Sequence, residues 1–226
     1  MPDPLELDVF WSFRSPWSYL ATGRLADWER RYQLAIRFRP VYPIAIRTPD
    51  FFQQVNPLWP GYLMADVHRV AEFLEIPFRW PRPDPVPQEL REGGLFTSEV
   101  QPHIYRLTRL GVVAEERGRG IAFADEASRL IWGGTENWHE GAHLAEASDR
   151  AGLELAELDK LVEVEAERLE AAIQQNQADH QAAGHWGVPT CAFRGEPFFG
   201  QDRLDVLLWR LRQNGLQERG KEPENP

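Results

Sequence analysis

Cysteine is nearly missing from this sequence. Cys191 stands alone among 226 residues, so neither an intramolecular disulfide nor a thiolate zinc cluster can form, and the usage fits a reducing compartment. Long apolar runs are missing as well. No stretch approaches the roughly 18–20 uninterrupted apolar residues of a membrane span, and MPDPLELDVF has neither the basic start nor the apolar run of a signal peptide. Basic charge is in deficit: the formal net charge of −10 repels phosphate backbones and anionic lipid. These absences predict a soluble, cytoplasmic protein with no nucleic-acid and no membrane partner.

What is present is material for a packed core, with 42% hydrophobic residues and nine tryptophans over a length that allows one large domain or two small ones. The chain reads as three parts. Residues 5–13 read as a strand, and Pro16 to about Tyr32 as a helix ending in Arg30-Arg31. LAIRFRPVYPI, 34–44, alternates Ile36, Phe38 and Val41 with Arg37, Arg39 and Pro40, as a strand near a sheet edge does. Parallel strands joined by a crossover helix imply a sheet covered by helices. In the middle, apolar positions 63, 64, 67, 70, 71 and 74 mark a helix, and PFRWPRPDPVPQ, with five prolines at 77–87, marks a stiff surface loop. Helical periodicity returns through 98–117, 123–132, 137–151 and 154–182, the last with Leu158, Leu161, Val162 and Leu169 along one stripe. GVPTCAFRGEPFFG then reads as two short strands around Arg194-Gly195-Glu196, and QDRLDVLLWRLRQ as an amphipathic helix. The expected division is a β-α-β part over 1–55, a helical insertion over 56–182, a β-β-α part over 183–216 and a flexible tail over 217–226.

Three stretches in this order carry a resemblance: FWSFRSPWSYLA after the first strand, GHWGVPTCAF entering the third, and FFGQDRLDVL opening the last helix, with YLMAD leading the insertion. Over roughly residues 5–212 the chain resembles the 2-hydroxychromene-2-carboxylate isomerases and the kappa-class glutathione transferases, and shares the helical insertion of bacterial disulfide oxidoreductases. The resemblance implies an α/β, thioredoxin-like fold interrupted by a helical insertion domain. It implies reduced glutathione as cofactor, a small aromatic electrophile as substrate, and a homodimer. The expected function is a glutathione-dependent isomerase of the 2-hydroxychromene-2-carboxylate type. A kappa-like transferase and a non-catalytic thiol- or peptide-binding module are the alternatives. Carried over residue by residue, Ser15 is the catalytic group facing the glutathione sulfur, with Trp17 and Asn56 as further cofactor contacts. Val188, before a cis Pro189, pairs with the cysteinyl part, and Gln201 and Asp202 hold the γ-glutamyl end. Ser15 and Ser18 stand where disulfide oxidoreductases carry cysteines, and neither can form a disulfide.

Each of these residues also has a plainer role. Ser15-Pro16 is a good helix start, because serine accepts a backbone N–H and proline at the first position wastes no donor. Only about 5–6% of X-Pro bonds in folded proteins are cis, and Gln201-Asp202 is an ordinary acidic helix start. HEGAH, 139–143, matches the H-E-x-x-H pattern in which His139 and His143 would hold zinc and Glu140 would act as base. Glu146 and Asp149 stand where the extended pattern needs Gly and His, and Gly141 weakens a helix. No metal is expected. Cys191 reads as a buried small hydrophobe, while His185 and Trp186 border the cleft, His185 as an acid-base candidate. Arg14 and the Arg37/Arg39 pair are candidate attractors of an acidic substrate, and Trp17, Trp59 and Trp80 candidate walls of an aromatic cleft.

Overall fold

The computed structural model describes residues 3–92 and 94–220. β1 (Leu5–Trp11) leads into α1 (Pro16–Arg31) and back to β2 (Leu34–Pro40), paired parallel with β1 from Leu5–Leu34 to Trp11–Pro40. The chain then passes through α2 (Ile44–Arg47), α3 (Phe51–Gln54), α4 (Leu58–Phe73), the hairpin β3 (Gln88–Arg91) and β4 (Gly94–Thr97), and helices α5 (Ile104–Glu116) and α6 (Gly120–Trp132). It continues through α7 (His143–Arg150), α8 (Leu155–Val164) and α9 (Ala166–Ala182) to β5 (Thr190–Phe193) and β6 (Glu196–Phe199). A 3-10 turn (Gln201–Arg203) and α10 (Leu204–Gln213) complete it. The main sheet has the order β2-β1-β5-β6, with β5 antiparallel to β1 and β6 antiparallel to β5.

Alternation decides which faces are buried. Leu7, Val9 and Trp11 of β1 point into the large core with Leu20 and Leu25 of α1 and with Phe123 and Trp132 of α6. Phe10 points the other way, into a small second core with Val41 and Ala192. Two of the deeply buried tryptophans satisfy their N–H groups, whereas the buried Nε1 of Trp80 has no partner among the described residues. Trp11 Nε1 donates to Thr22 Oγ1 at 2.8 Å, and Trp132 Nε1 to the Phe13 carbonyl at 3.1 Å. The β5–β6 turn is tight because Arg194 (φ 51°) and Gly195 (φ 80°) both take the left-handed region, which matches the twist of a two-residue hairpin.

The architecture is the α/β layer with inserted helices that the resemblance implies. Local boundaries differ in several places. The strand expected over 34–44 stops at Pro40, since Pro40 and Pro43 supply no ladder donor, and α2 starts at Ile44. The helix expected from 98 begins at Ile104, after a short irregular segment that follows the β3–β4 hairpin ending at Thr97. The 137–151 segment is helical only over His143–Arg150, because Asn137 (φ 51°) and Gly141 (φ 58°) break it. Glu165, at φ −112° and ψ 25°, splits 154–182 into α8 and α9. The proline-rich segment is irregular as expected but not a surface loop throughout: Val86 is fully buried, and Trp138 Nε1 donates to the Pro83 carbonyl at 2.8 Å. Of the expected tail, residues 217–220 hydrogen-bond back to Arg31 and Gln33, and 221–226 lie outside the described residues.

Candidate functional site

The site grows from the end of β1. Ser15 caps α1 from an extended conformation, its Oγ accepting from Ser18 N at 3.1 Å, while Pro16 takes the first helical position. The same Oγ donates to the Val188 carbonyl at 3.2 Å, across 173 residues of sequence. Val188–Pro189 is a cis peptide. The positive end of α1 therefore sits beside the backbone of the segment entering β5. Ser18 lies behind Ser15, fully buried, and its Oγ has no partner among the described residues. It packs inside the helix start and does not reach the cavity.

Ser15, Trp17 and Val188 open into a cavity of about 410 Å³. One wall comes from α3 and α4, with Phe51, Phe52, Trp59 and Tyr62, and the other from Trp186 and Phe199 beside the cis-proline segment. Phe51 links the two walls, its ring centroid 5.8 Å from that of Trp59 and 5.5 Å from that of Trp186. Gly187 lets the second wall close: a Cβ there would stand 2.4 Å from Phe199 Cε2. The result is a mostly apolar chamber with the Ser15 hydroxyl and a helix terminus at its floor, the usual composition of a small-molecule site.

Arg47 supplies the cationic group of the chamber. Its Nε donates to the Tyr42 carbonyl at 2.6 Å and its Nη2 to the Trp186 carbonyl at 3.1 Å. Among the described residues it forms no ion pair, and burial pulls its pKa down to about 10. Arg14 also lines the chamber but is neutralised by Asp84, with bonds of 3.1 and 3.0 Å, and by Gln88 at 2.7 Å. Arg37 and Arg39 do not face the site. They form an ion-pair ladder with Glu6, Asp8 and Asp179 in a different groove of the sheet.

The remaining sequence-predicted residues fall in different places. Pro189 lies just behind Val188, and its carbonyl accepts from Gly200 N at 2.9 Å, which ties the start of the last helix to the cis-proline. Gln201 and Asp202 follow that bond but do not line the chamber, and Asp202 accepts from Arg203 Nη1 at 2.8 Å. Asn56 is exposed and occupied locally, its Oδ1 accepting from Leu58 N at 3.0 Å at the start of α4. Trp59 lines the chamber as expected, whereas Trp80 packs between Phe78 and Trp132, at 5.4 and 5.7 Å. His185 is turned onto its own loop: its Nδ1 accepts from Gly187 N at 2.9 Å, its ring stacks on Phe199 at 3.9 Å, and burial lowers its pKa. It is not placed to move a proton in the chamber. Cys191 is buried in β5, and burial pushes its thiol up to about 12, so it is an inert core side chain. HEGAH runs through a turn that ends at α7, so His139 and His143 do not share a helical turn. His139 packs instead against His103, with centroids 4.7 Å apart.

Arg47, Phe51, Phe52, Tyr62 and Phe199 are among the chamber residues that the sequence did not single out. The aromatic density of FFQQVNPLWPGY was the only available signal for the α3–α4 wall.

Known proteins share this layout. The chain is 26% identical to a 2-hydroxychromene-2-carboxylate isomerase of Sphingobium xenophagum over 205 residues, 89% of this chain and 95% of that protein. It is 21% identical to glutathione S-transferase kappa 1 of Rattus norvegicus over 218 residues, 93% of this chain and 92% of that one. A solved 2-hydroxychromene-2-carboxylate isomerase superposes with a TM-score of 0.68 at 22% identity, covering 93% of this chain and 98% of its own. The sequence model of one family, the DSBA-like thioredoxin domain, matches residues 6–212, and the chain belongs to that family.

Proposed function

We propose that the protein is a glutathione-dependent isomerase of the 2-hydroxychromene-2-carboxylate type, working on an aromatic conjugated carbonyl in the chamber above Ser15. The observation that carries this is the juxtaposition of the Ser15 hydroxyl, the α1 terminus and the Val188 carbonyl, 3.2 Å from Oγ, at the floor of an aromatic cavity. The names of the two relatives supply the reaction class and the cofactor. The donor set suits a thiol peptide: Val188 offers backbone groups for strand-like pairing, and Ser15 offers a hydroxyl at a positive helix end. Ser15 and Val188 would hold reduced glutathione, which when bound would supply a thiolate nucleophile for reversible addition to the conjugated carbonyl.

This chain's residues do the rest. With no ligand, the Ser15 proton is engaged by the Val188 carbonyl. A ligand N–H paired to that carbonyl would free the hydroxyl to donate to a bound thiolate, while Oγ goes on accepting from Ser18 N. Phe51, Trp59 and Trp186 enclose the aromatic ring and exclude water, and Arg47 at the rim holds the substrate carboxylate. The reading includes a reducing, cytoplasmic setting, where glutathione stays a thiol, and a homodimer. No helix of the described residues is long and apolar enough to cross a membrane.

The test is turnover of a hydroxychromene carboxylate with catalytic amounts of reduced glutathione, followed by absorbance. Isomerisation with the glutathione recovered is the expected result. Stoichiometric consumption with release of a conjugate would assign the transferase chemistry instead. Saturable glutathione binding with no turnover across aromatic electrophiles would make the fold a binding module.

A further inference from the structure

We infer that His180 is a positioning residue for the cis-proline segment: its imidazole holds the Gly187 carbonyl and thereby sets the Val188 peptide against Ser15. The inference deepens the proposed function and rests on it for the identity of what Val188 binds.

His180 lies near the end of α9, fully buried, its ring stacked on Phe10 of β1 with centroids 4.9 Å apart. Its Nε2 is 2.9 Å from the Gly187 carbonyl oxygen. A carbonyl only accepts, so Nε2 carries the proton and Nδ1 holds a lone pair. That Nδ1 is buried with no partner among the described residues. Burial pulls the ring pKa down to about 4, helped by the nearby Arg47 and His185, so the imidazole stays a neutral donor. Burying an imidazole with an orphaned acceptor is costly, and an apolar ring would fill the space against Phe10 without that cost. What an apolar ring lacks is the Nε2–H.

The bond belongs to a set. Thr190 Oγ1 donates to the same Gly187 oxygen at 2.7 Å. Arg47 donates to the Trp186 carbonyl at 3.1 Å and Ser15 to the Val188 carbonyl at 3.2 Å. Three consecutive carbonyls thus each point at a named side-chain donor, and the Gly187 N–H is taken by His185 Nδ1 at 2.9 Å. Gly187 and Val188 share a peptide, so the donors on the Gly187 carbonyl orient the Val188 N–H as well.

The test compares His180→Phe, which keeps the stacked ring, with His180→Gln, whose amide can restore a donor near Nε2. In the free protein, the Gly187 and Gly200 amides should exchange about tenfold faster in His180→Phe and near the wild-type rate in His180→Gln, with β1 and β2 amides unchanged. Calorimetry with reduced glutathione should show affinity about tenfold weaker in the Phe variant and within about threefold in the Gln variant. Unchanged exchange in His180→Phe, equal acceleration in both variants, or faster exchange with unaltered glutathione affinity would each overturn the inference. A wild-type protein that binds no glutathione removes the proposed function, and the exchange data on the free protein then decide the clamp alone. If His180→Phe does not fold, nitrogen NMR of the wild-type imidazole decides: an Nε2–H tautomer is expected, and an Nδ1–H tautomer contradicts the geometry.

Discussion

Removing the Ser15 hydroxyl separates two roles that the structure gives to one atom. Oγ caps α1 by accepting from Ser18 N at 3.1 Å, and its proton is the group proposed to meet the sulfur. The chemical role can be sized. An unperturbed thiol has a pKa of about 8.5, and lowering it by two units needs about 2.7 kcal/mol of preference for the anion. A charge-assisted hydrogen bond contributes roughly 1.5–3 kcal/mol and a helix terminus roughly 0.3–1 kcal/mol. The hydroxyl gives up a neutral bond to the Val188 carbonyl, worth about 1 kcal/mol, so its net share is about 0.5–2 kcal/mol. Ser15→Ala should therefore raise the pKa of bound glutathione by about one unit and, by cutting the thiolate fraction from about three quarters to about one quarter, slow turnover about threefold at neutral pH. The same substitution should cost about 1 kcal/mol of stability through the lost cap, whereas Ser15→Gly should cost only a few tenths. Comparing the two variants isolates the chemistry. Ultraviolet titration of the bound thiolate measures the first effect and thermal unfolding the second. If both variants bind glutathione with the wild-type thiol pKa, the hydroxyl does not hold the sulfur and the assignment of Ser15 fails.

Other consequences follow from neighbouring atoms. Arg47→Met should raise KM for a carboxylate-bearing substrate by about tenfold or more with a smaller change in kcat, since a charged hydrogen bond worth roughly 1.5–3 kcal/mol is lost; steady-state kinetics at several substrate concentrations check this. Gly187→Ala would place Cβ 2.4 Å from Phe199 Cε2, push that ring off His185, and cost roughly 1–3 kcal/mol by calorimetric melting. Burial, aided by the neighbouring Glu29 charge, pushes the Glu115 carboxyl up to about 7. Its folded pKa lies above the unfolded one, so the native state keeps a proton the unfolded chain has lost, and stability falls as pH rises from the usual carboxylate range through about 7. Glu115→Gln should leave stability nearly unchanged near pH 4 and raise it at pH 8 by about 1 kcal/mol after discounting for partial exposure, read by thermal unfolding at the two pH values. Equal effects at both pH values would contradict the assignment.

Much of the fold and the floor of the site could be read from sequence because their determinants are local. Ser15-Pro16 announces a helix start through capping chemistry alone, and Arg194-Gly195 announces a tight hairpin through its turn residues. The alternation of Ile36 and Phe38 with Arg37 and Arg39 located β2, although those arginines face Asp8 and Asp179 and not the chamber. The β3–β4 hairpin was hidden by strands of four residues each, too short for alternation to register. HEGAH looked helical because the pattern is defined by spacing, and Gly141 at φ 58° abolishes that spacing in space. The walls were hidden for a different reason. Phe51 meets Trp186 only after the insertion has folded back on the sheet, and Arg47 finds the Trp186 carbonyl 139 residues away. Asn56 shows the converse: a polar residue near the site whose Oδ1 accepts locally from Leu58 N, the first residue of α4.

The central claim is that the floor of this chamber holds a thiolate. Calorimetric titration with reduced glutathione, repeated with S-methyl glutathione and with Ser15→Ala, tests it most directly. The account predicts saturable one-to-one binding of the reduced form, weakened both by methylating the sulfur and by removing the hydroxyl. Equal affinity for the methylated peptide, or no binding at millimolar glutathione, would contradict it and return Ser15 to the single role of capping α1.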